Sequence, residues 1–425
     1  MSLRAENTSR LKKTNEKTLW LLFFIWPVWS FLLAIKNFHV KRYRKFILLF
    51  GVLYGFTFIP IPDSDGYRYA QRFEEIGAYP LDQLIYELAH IYEAGALQPD
   101  VYIHALLFFT SKFSDNARFF HMVTALIYFL VFIKLLSSVF DLAQGARGKY
   151  YLWFFLGCVF VLNFSIGVNG VRYPLGFMVF ALGAFQLIVT RKTQYLGIAF
   201  LSPFIHFMFV YPVIFLLIFH WFPFSKNQTF LLVFLLLAFF AGTFFHTIIQ
   251  NNIGFFGDAL EDRFMGFTHE AWIDQREEHV RRWHWYVELR LYATYFFSMV
   301  AVFFVWLRQT RFRSDGISKN LLAFTVFMII ASVISGGMID AASNRYAALA
   351  VFFSMAFLYY LSSLNPKSLL LKTISRIYIP IFILHALVIF RADFFTVSPW
   401  LIFGNPVLMW LFESTVSIQE LILGS

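Results

Sequence analysis

Cysteine is almost missing from this 425-residue chain: Cys158 stands alone, inside an apolar run. A single thiol excludes an intramolecular disulfide and any metal centre built on a cysteine cluster. Charge is scarce too, at 14% of residues against 59% hydrophobic. A soluble domain of this length cannot hide so much apolar surface in one core. No small-residue cleavage pattern follows the first apolar run, Leu19–Ile35, which Trp26-Pro27 interrupts, so no cleavable signal peptide is expected. No His-x-x-x-His and no carboxylate cluster has metal-ligand spacing, and neither a metal nor another cofactor is expected. The excess of 35 Lys and Arg over 25 Asp and Glu does not read as nucleic-acid binding, because basic residues in so apolar a chain chiefly report orientation.

What the chain has in plenty is apolar runs, such as Phe230–Ile249, Tyr292–Leu307 and Leu321–Ile334. A bilayer span needs about 20 such residues. The expected fold is therefore all-α, a polytopic transmembrane bundle of about 11–12 membrane segments. It forms a single membrane-embedded domain over residues 1–425, with outer segments at about 62–116 and 250–284 that carry short helices. The lipid bilayer is then an obligatory partner and nucleic acid is not.

The basic residues thread these spans. Lys36, Lys41, Arg42, Arg44 and Lys45 form an acid-free block and are expected inside. The segment 62–98 holds Asp63, Asp65, Glu74, Glu75, Asp82, Glu87 and Glu93 against Arg68 and Arg72, which fits the outside. Spans at about 117–139, 150–168 and 173–190 then place Arg147 and Lys149 inside, Arg172 outside, and Arg191-Lys192 inside. The stretch 195–222, with Pro203, His206 and Pro212, reads as a hairpin of two short helices with His206 near its outer tip. Further spans at 228–249, 285–307, 320–337, 346–363 and about 374–393 follow. Leu19–Ile35 has basic flanks on both sides and reads as a hairpin bent at Pro27; Trp400–Phe412 re-enters or lies on the membrane, and Val101–Phe109 is too short to cross. Apart from Lys112, the lysines fall inside, whereas the outer positives are Arg, including Arg68, Arg72, Arg172, Arg276, Arg345 and Arg391. A guanidinium fork grips phosphate or carboxylate with two parallel hydrogen bonds, so an Arg-rich outer face points to anion recognition, with salt bridging to nearby acids as the plainer alternative.

Five outer clusters could carry chemistry. Asp63 and Asp65 follow a span, where a partly desolvated carboxylate can act as a general base; Pro, Asp, Ser and Gly there also make an ordinary turn. Arg172 opens a span just before Pro174, and a helix start with an Arg suits an anion. His206 sits within membrane depth, where ionisable groups are expensive and usually functional. The loop 250–284 and the span after it mix Arg281, Arg282, Trp283, His284 and Trp285. Asp340, Asn344 and Arg345 stand at the outer start of a late span.

In this order, Asp63-Ser-Asp65-Gly-Tyr67-Arg-Tyr69 after an early span, Arg172, Arg191-Lys192, His206 in the next hairpin and Asn344-Arg345-Tyr346 resemble the EpsG and Wzy-type polysaccharide (O-antigen) polymerases over residues 45–365. Tyr173-Pro174 departs from the Gln and small residues that often follow the Arg in that family. The resemblance implies a multi-pass enzyme of the bacterial inner membrane with its site facing the periplasm. It would join undecaprenyl-diphosphate-linked repeat units in polysaccharide or lipopolysaccharide biosynthesis, by glycosyl transfer from one carrier to a sugar hydroxyl of another. Arg172 and Arg345, then Arg281 and Arg282, would hold the diphosphate; His206, Asp65 and Asp63 compete as the base; Tyr67, Tyr69, Trp283 and Trp285 would face sugars. The implied partner is a lipid-diphosphate-linked glycan, with room for a chain-length regulator. An O-antigen ligase is the nearest rival, and a polysaccharide or lipid transporter a more distant one, since no internal repeat is evident and the notable charges sit at span ends.

Overall fold

A computed structural model describes residues 15–62, 64–91, 100–143, 150, 153, 154, 157, 164–222, 285–336, 340–411 and 416–423. Among them the only β-type pairing is an isolated bridge between Phe58 and Val397, so the architecture is all-helical. The expected helical bundle is what the chain adopts.

Two ten-residue helices come first, α1 (Glu16–Ile25) and α2 (Pro27–Lys36). Trp26 breaks the helix and Pro27 restarts it, as a proline at the first helical position does well. Ser30 Oγ donates to Leu19 O at 3.2 Å, which is only possible if α2 folds back along α1. Lys45 also bonds Glu16, so both ends of this hairpin lie beside the start of α3 (Arg44–Phe56). The predicted bend at Pro27 is thus a hairpin tip. An outer group follows: α4 (Asp65–Gly77), α5 (Leu81–Ala89) and α6 (Val101–Ser111). On α4, Tyr69, Phe73 and Ile76 recur at helical spacing and are buried, while Glu74 and Glu75 face out. These rings pack with Leu84, Ile103, Leu107 and Phe120 into a small core of their own. At about 16 Å, α6 is too short to cross a bilayer, as its sequence suggested.

The long elements are α7 (Ala117–Leu142), α9 (Arg172–Thr190), α13 (Trp285–Leu307), α14 (Gly316–Gly336), α15 (Asp340–Leu364) and α16 (Leu369–Thr396). A short α8 (Phe164–Asn169) precedes α9. The hairpin after α9, expected as two short helices, is broken into three, α10 (Gln194–Phe200), α11 (Ser202–Ile205) and α12 (Val210–Trp221), with the expected break at His206. Among the described residues four helices are long and apolar enough to cross a membrane: Ala117–Leu142, Arg172–Thr190, Arg345–Leu364 and Leu369–Thr396. Others, including Pro27–Lys36 and Val101–Ser111, are apolar but shorter. Leu21, Phe24, Phe296, Phe303, Leu387 and Phe390 are each more than half exposed, an apolar surface suited to lipid. α7, α9 and α15 fill the middle; α15 buries 83% of its apolar window.

The alternation of ends matches the charge threading. At one end Arg44 meets Asp141 at 3.3 Å, Arg191 bonds Asn320, and Arg313 N donates to Asn365 Oδ1 at 2.8 Å. At the other, Gly66 N donates to Asn169 Oδ1 at 3.0 Å, Ile59 N to Thr396 O at 2.7 Å and Tyr346 Oη to Met208 O at 3.0 Å. Each link joins residues expected on the same side. After α16 the chain turns back through α17 (Pro399–Phe403) and α18 (Pro406–Leu411), before α19 (Ile418–Leu423). Trp26 Nε1 donates to Ile402 O at 2.6 Å, so the first hairpin's tip meets this C-terminal turn. Of the two readings of Trp400–Phe412, the re-entrant one fits this contact.

Candidate active site

Two chain breaks and the outer part of α15 meet at the outer end of α9. Gly170, Val171 and Arg172 form a tight turn in which Arg172 N bonds Gly170 O, with Val171 at φ 42°, ψ −61°. A β-branched residue at positive φ is strained by about 1–3 kcal/mol, and such strain tends to mark functional turns. The turn aims Arg172 inward at the first residue of α9. His206 provides the second break: it is extended, φ −153° and ψ 119°, between α11 and a 3-10 turn at Phe207–Phe209. Pro203 stands in the first turn of α11, where proline is well tolerated, and the extended His206 ends that helix after one turn. Beside them stands the outer part of α15, a continuous helix that bears Arg345.

Arg172 and Arg345 lie on either side of Tyr173. The Tyr173 hydroxyl donates to Arg345 O at 3.1 Å, and the Arg345 guanidinium sits over the Tyr173 ring at 4.9 Å. Arg345 Nη1 also touches Met208 Sδ. Among the described residues no carboxylate forms an ion pair with Arg345, although the charges of Arg172 and Asp65 both act on it. The His206 ring meets the Tyr173 ring edge-on at 6.0 Å, and its Nδ1 accepts from Met208 N at 3.3 Å. The structure therefore brings together Arg172, Arg345 and His206 around Tyr173.

Arg172 is not free. Its Nη1 donates to Asp100 Oδ2 at 2.5 Å, and the Asp100 side chain is fully buried. Asp100 Oδ1 accepts from Phe207 N at 2.8 Å, so one carboxylate clamps both the Arg172 turn and the His206 break. Salt bridging, the plainer reading of an outer Arg, holds for Arg172. Tyr69 also departs from expectation. It is 2% exposed, and the Arg172 guanidinium lies over its ring at 5.7 Å, so it supports the arginine instead of facing a sugar. Burial pushes the Tyr69 hydroxyl up to about 12, against the pull of Arg172. Arg172 belongs instead to a buried set with Asp100 and Tyr69.

Asp65 begins α4, with Ser64 as its cap accepting from Tyr67 N at 3.3 Å. It pairs with Arg68 and remains partly exposed. Gly66 is required here: a Cβ would stand 2.6 Å from Asn169 Oδ1, the atom that ties α4 to α8. Tyr67 is half-buried on α4, and Trp285 is 74% exposed at the start of α13. Asp63, Arg281, Arg282 and Trp283 lie outside the described residues.

Two acids are missing from the sequence-derived set. Asp100 stands just before the apolar run of α6, and an acid abutting an apolar helix is a signal of pairing. Asp393 lies near the end of α16, where Tyr54 Oη donates to its Oδ1 at 3.0 Å; Ser165 and Thr396 bond each other alongside at 3.0 Å. An acid within an apolar helix is a pointer visible in sequence.

A model of the EpsG family matches residues 41–400. No curated protein and no solved structure matches the chain. The matched stretch takes in α3 to α16 and every described residue of the Arg345 site. The chain belongs to the EpsG family, with the polysaccharide-polymerase-like role in the membrane that this membership carries.

Proposed function

We propose that the protein polymerises undecaprenyl-diphosphate-linked oligosaccharide repeat units at the periplasmic face of the bacterial inner membrane. The observation that carries this reading is Arg345: a guanidinium resting on an aromatic ring, with no ion-paired carboxylate among the described residues. Such a group is poised for an anion from outside the protein.

In the reaction, the acceptor sugar hydroxyl attacks the anomeric carbon of the donor glycan. The new C–O glycosidic bond forms as the C–O bond to the diphosphate breaks, and the electron pair leaves on the diphosphate. Arg345 stabilises that growing negative charge; a preorganised donor of this kind is worth about 10²–10³ in rate. Because His206 Nδ1 already accepts a backbone N–H, the neutral ring carries its proton on Nε2. His206 is then a hydrogen-bond donor to the diphosphate, and Asp65 takes the hydroxyl proton. Arg172 acts through Asp100 as a positioning residue, since its charge is largely cancelled. Arg281, Arg282 and Asp63 enter as further contacts on sequence grounds alone.

The test is a capsule or lipopolysaccharide ladder from a strain carrying only Arg345→Ala. Expected are single repeat units without polymer, from a protein that inserts and melts like wild type. Normal polymer would overturn the reading; loss of even the single repeat would point to a ligase.

A further inference from the structure

We infer that Met208 is the positioning residue of the Arg345 centre: its thioether sets the heading of the guanidinium and leaves the charge uncancelled. The inference rests on the polymerase reading of that centre.

Met208 stands in the middle of the 3-10 turn Phe207–Phe209 and is 8% exposed. Three of its atoms hold three parts of the site. Its N donates to His206 Nδ1 at 3.3 Å, its O accepts from Tyr346 Oη at 3.0 Å, and its Sδ touches Arg345 Nη1. The first two bonds belong to the main chain, so they persist whatever side chain stands at position 208. Only the side chain reaches Arg345. The other supports of Arg345 come from Tyr173, whose ring lies 4.9 Å from the guanidinium and whose hydroxyl donates to Arg345 O at 3.1 Å. A ring face fixes the height of a guanidinium, whereas a contact at one nitrogen fixes which way its fork points.

The same turn displays the contrasting arrangement. Phe207 N donates to Asp100, and Asp100 orients Arg172 as Met208 orients Arg345. A carboxylate orients a guanidinium by cancelling its charge. A thioether is an uncharged, weak acceptor, so it gives way when a phosphate oxygen arrives to form a stronger, charge-assisted bond. Acceptor strength at position 208 therefore sets how much of the Arg345 charge reaches a leaving diphosphate.

The test uses the full chain in detergent and, as substrate, the undecaprenyl-diphosphate-linked repeat unit extracted from a strain lacking this protein; kcat and KM are read from polymer formed. Met208→Leu keeps the volume, a well-tolerated exchange in a core, and removes the acceptor. Its kcat is expected to fall by about tenfold or more, because a misaimed donor fails in the transition state. Its KM is expected to stay within about twofold of wild type, because the charge that binds the ground state remains. Met208→Glu puts a carboxylate beside Arg345 Nη1 and is expected to lower kcat/KM by about a hundredfold or more, the scale of losing a transition-state donor. A packing role alone predicts wild-type constants for Met208→Leu, and that result overturns the proposal. Met208→Glu as active as Met208→Leu overturns it too, and Met208→Leu alone decides if Met208→Glu does not fold. Arg345→Ala separates the two readings. If it polymerises normally, the polymerase reading of this centre fails and Met208 has nothing to position. If it is inactive while Met208→Leu matches wild type, the role of Met208 fails and the polymerase reading stands.

Discussion

The buried pair of Arg172 and Asp100 makes the sharpest prediction. With Asp100 fully buried and Arg172 nearly so, removing the arginine alone strands a carboxylate in an apolar setting. Such a loss costs about 3–5 kcal/mol, whereas an exposed pair would cost at most about 1 kcal/mol. Arg172→Met should therefore lower the melting temperature markedly in detergent. Adding Asp100→Asn should recover most of that loss. The amide oxygen still accepts from Phe207 N, now at 2.8 Å from the carboxylate, while the uncompensated charge is gone. The residual deficit should be about 1–2 kcal/mol, the scale of imperfect hydrogen bonding at a buried site. Fluorescence-detected size exclusion after a heating series measures all three variants. The double variant should also make some polymer, because the clamp on the His206 break persists and Arg345 is untouched. If the two costs simply add, the pair is not the coupled unit described. If the double variant is as stable as expected yet makes no polymer, Arg172 acts on the substrate directly and its positioning role is wrong.

Other consequences follow from single residues. Tyr54→Phe removes the hydroxyl that donates to Asp393 and should cost about 1–3 kcal/mol in the same melting assay, with Asp393→Asn milder because an amide still accepts. Gly66→Ala pushes a methyl into Asn169 Oδ1; the shift of α4 should cost about 1–3 kcal/mol and reduce polymer, measurable by melting and ladder together. At the opposite end, burial works against the charge of Asp315, but hydrogen bonds from Tyr360 Oη at 2.5 Å and from Ser318 outweigh it and hold the carboxyl below its ordinary range. Its folded value being the lower one, its contribution is complete above the ordinary carboxylate pKa of about 4 and disappears as pH falls through the depressed value. Melting between pH 7 and 3 should show that loss in wild type and a flatter profile in Asp315→Asn.

How much of this was legible in advance depends on the range of each interaction. The hairpin at Pro27, the broken helix at His206 and the start of α9 at Arg172 are local events, set by proline, an extended residue and the tight turn at Val171. The grouping of the loops at two ends was equally legible, because Lys and Arg counts need no partner to be identified. α15 begins at Asp340, earlier than the expected 346, so Arg345 lies within the helix rather than opening it; Asp340, Asn344 and Arg345 do not interrupt a helix merely by being polar. Tyr69 differs from the expected sugar contact although its signal is present. Its spacing to Phe73 and Ile76 is that of a buried helical stripe. The pairing of Arg172 with Asp100 is of another kind. The two stand 72 positions apart, and no local pattern in either segment names the other. That distinction bears on the site itself. Residue type and side could suggest that Arg172 and Arg345 share a face, but only the position of Asp100 separates them, neutralising one and leaving the other available. Asp100 makes Arg172 part of the scaffold in the fold, and it is this asymmetry between two arginines that gives the proposed chemistry a direction.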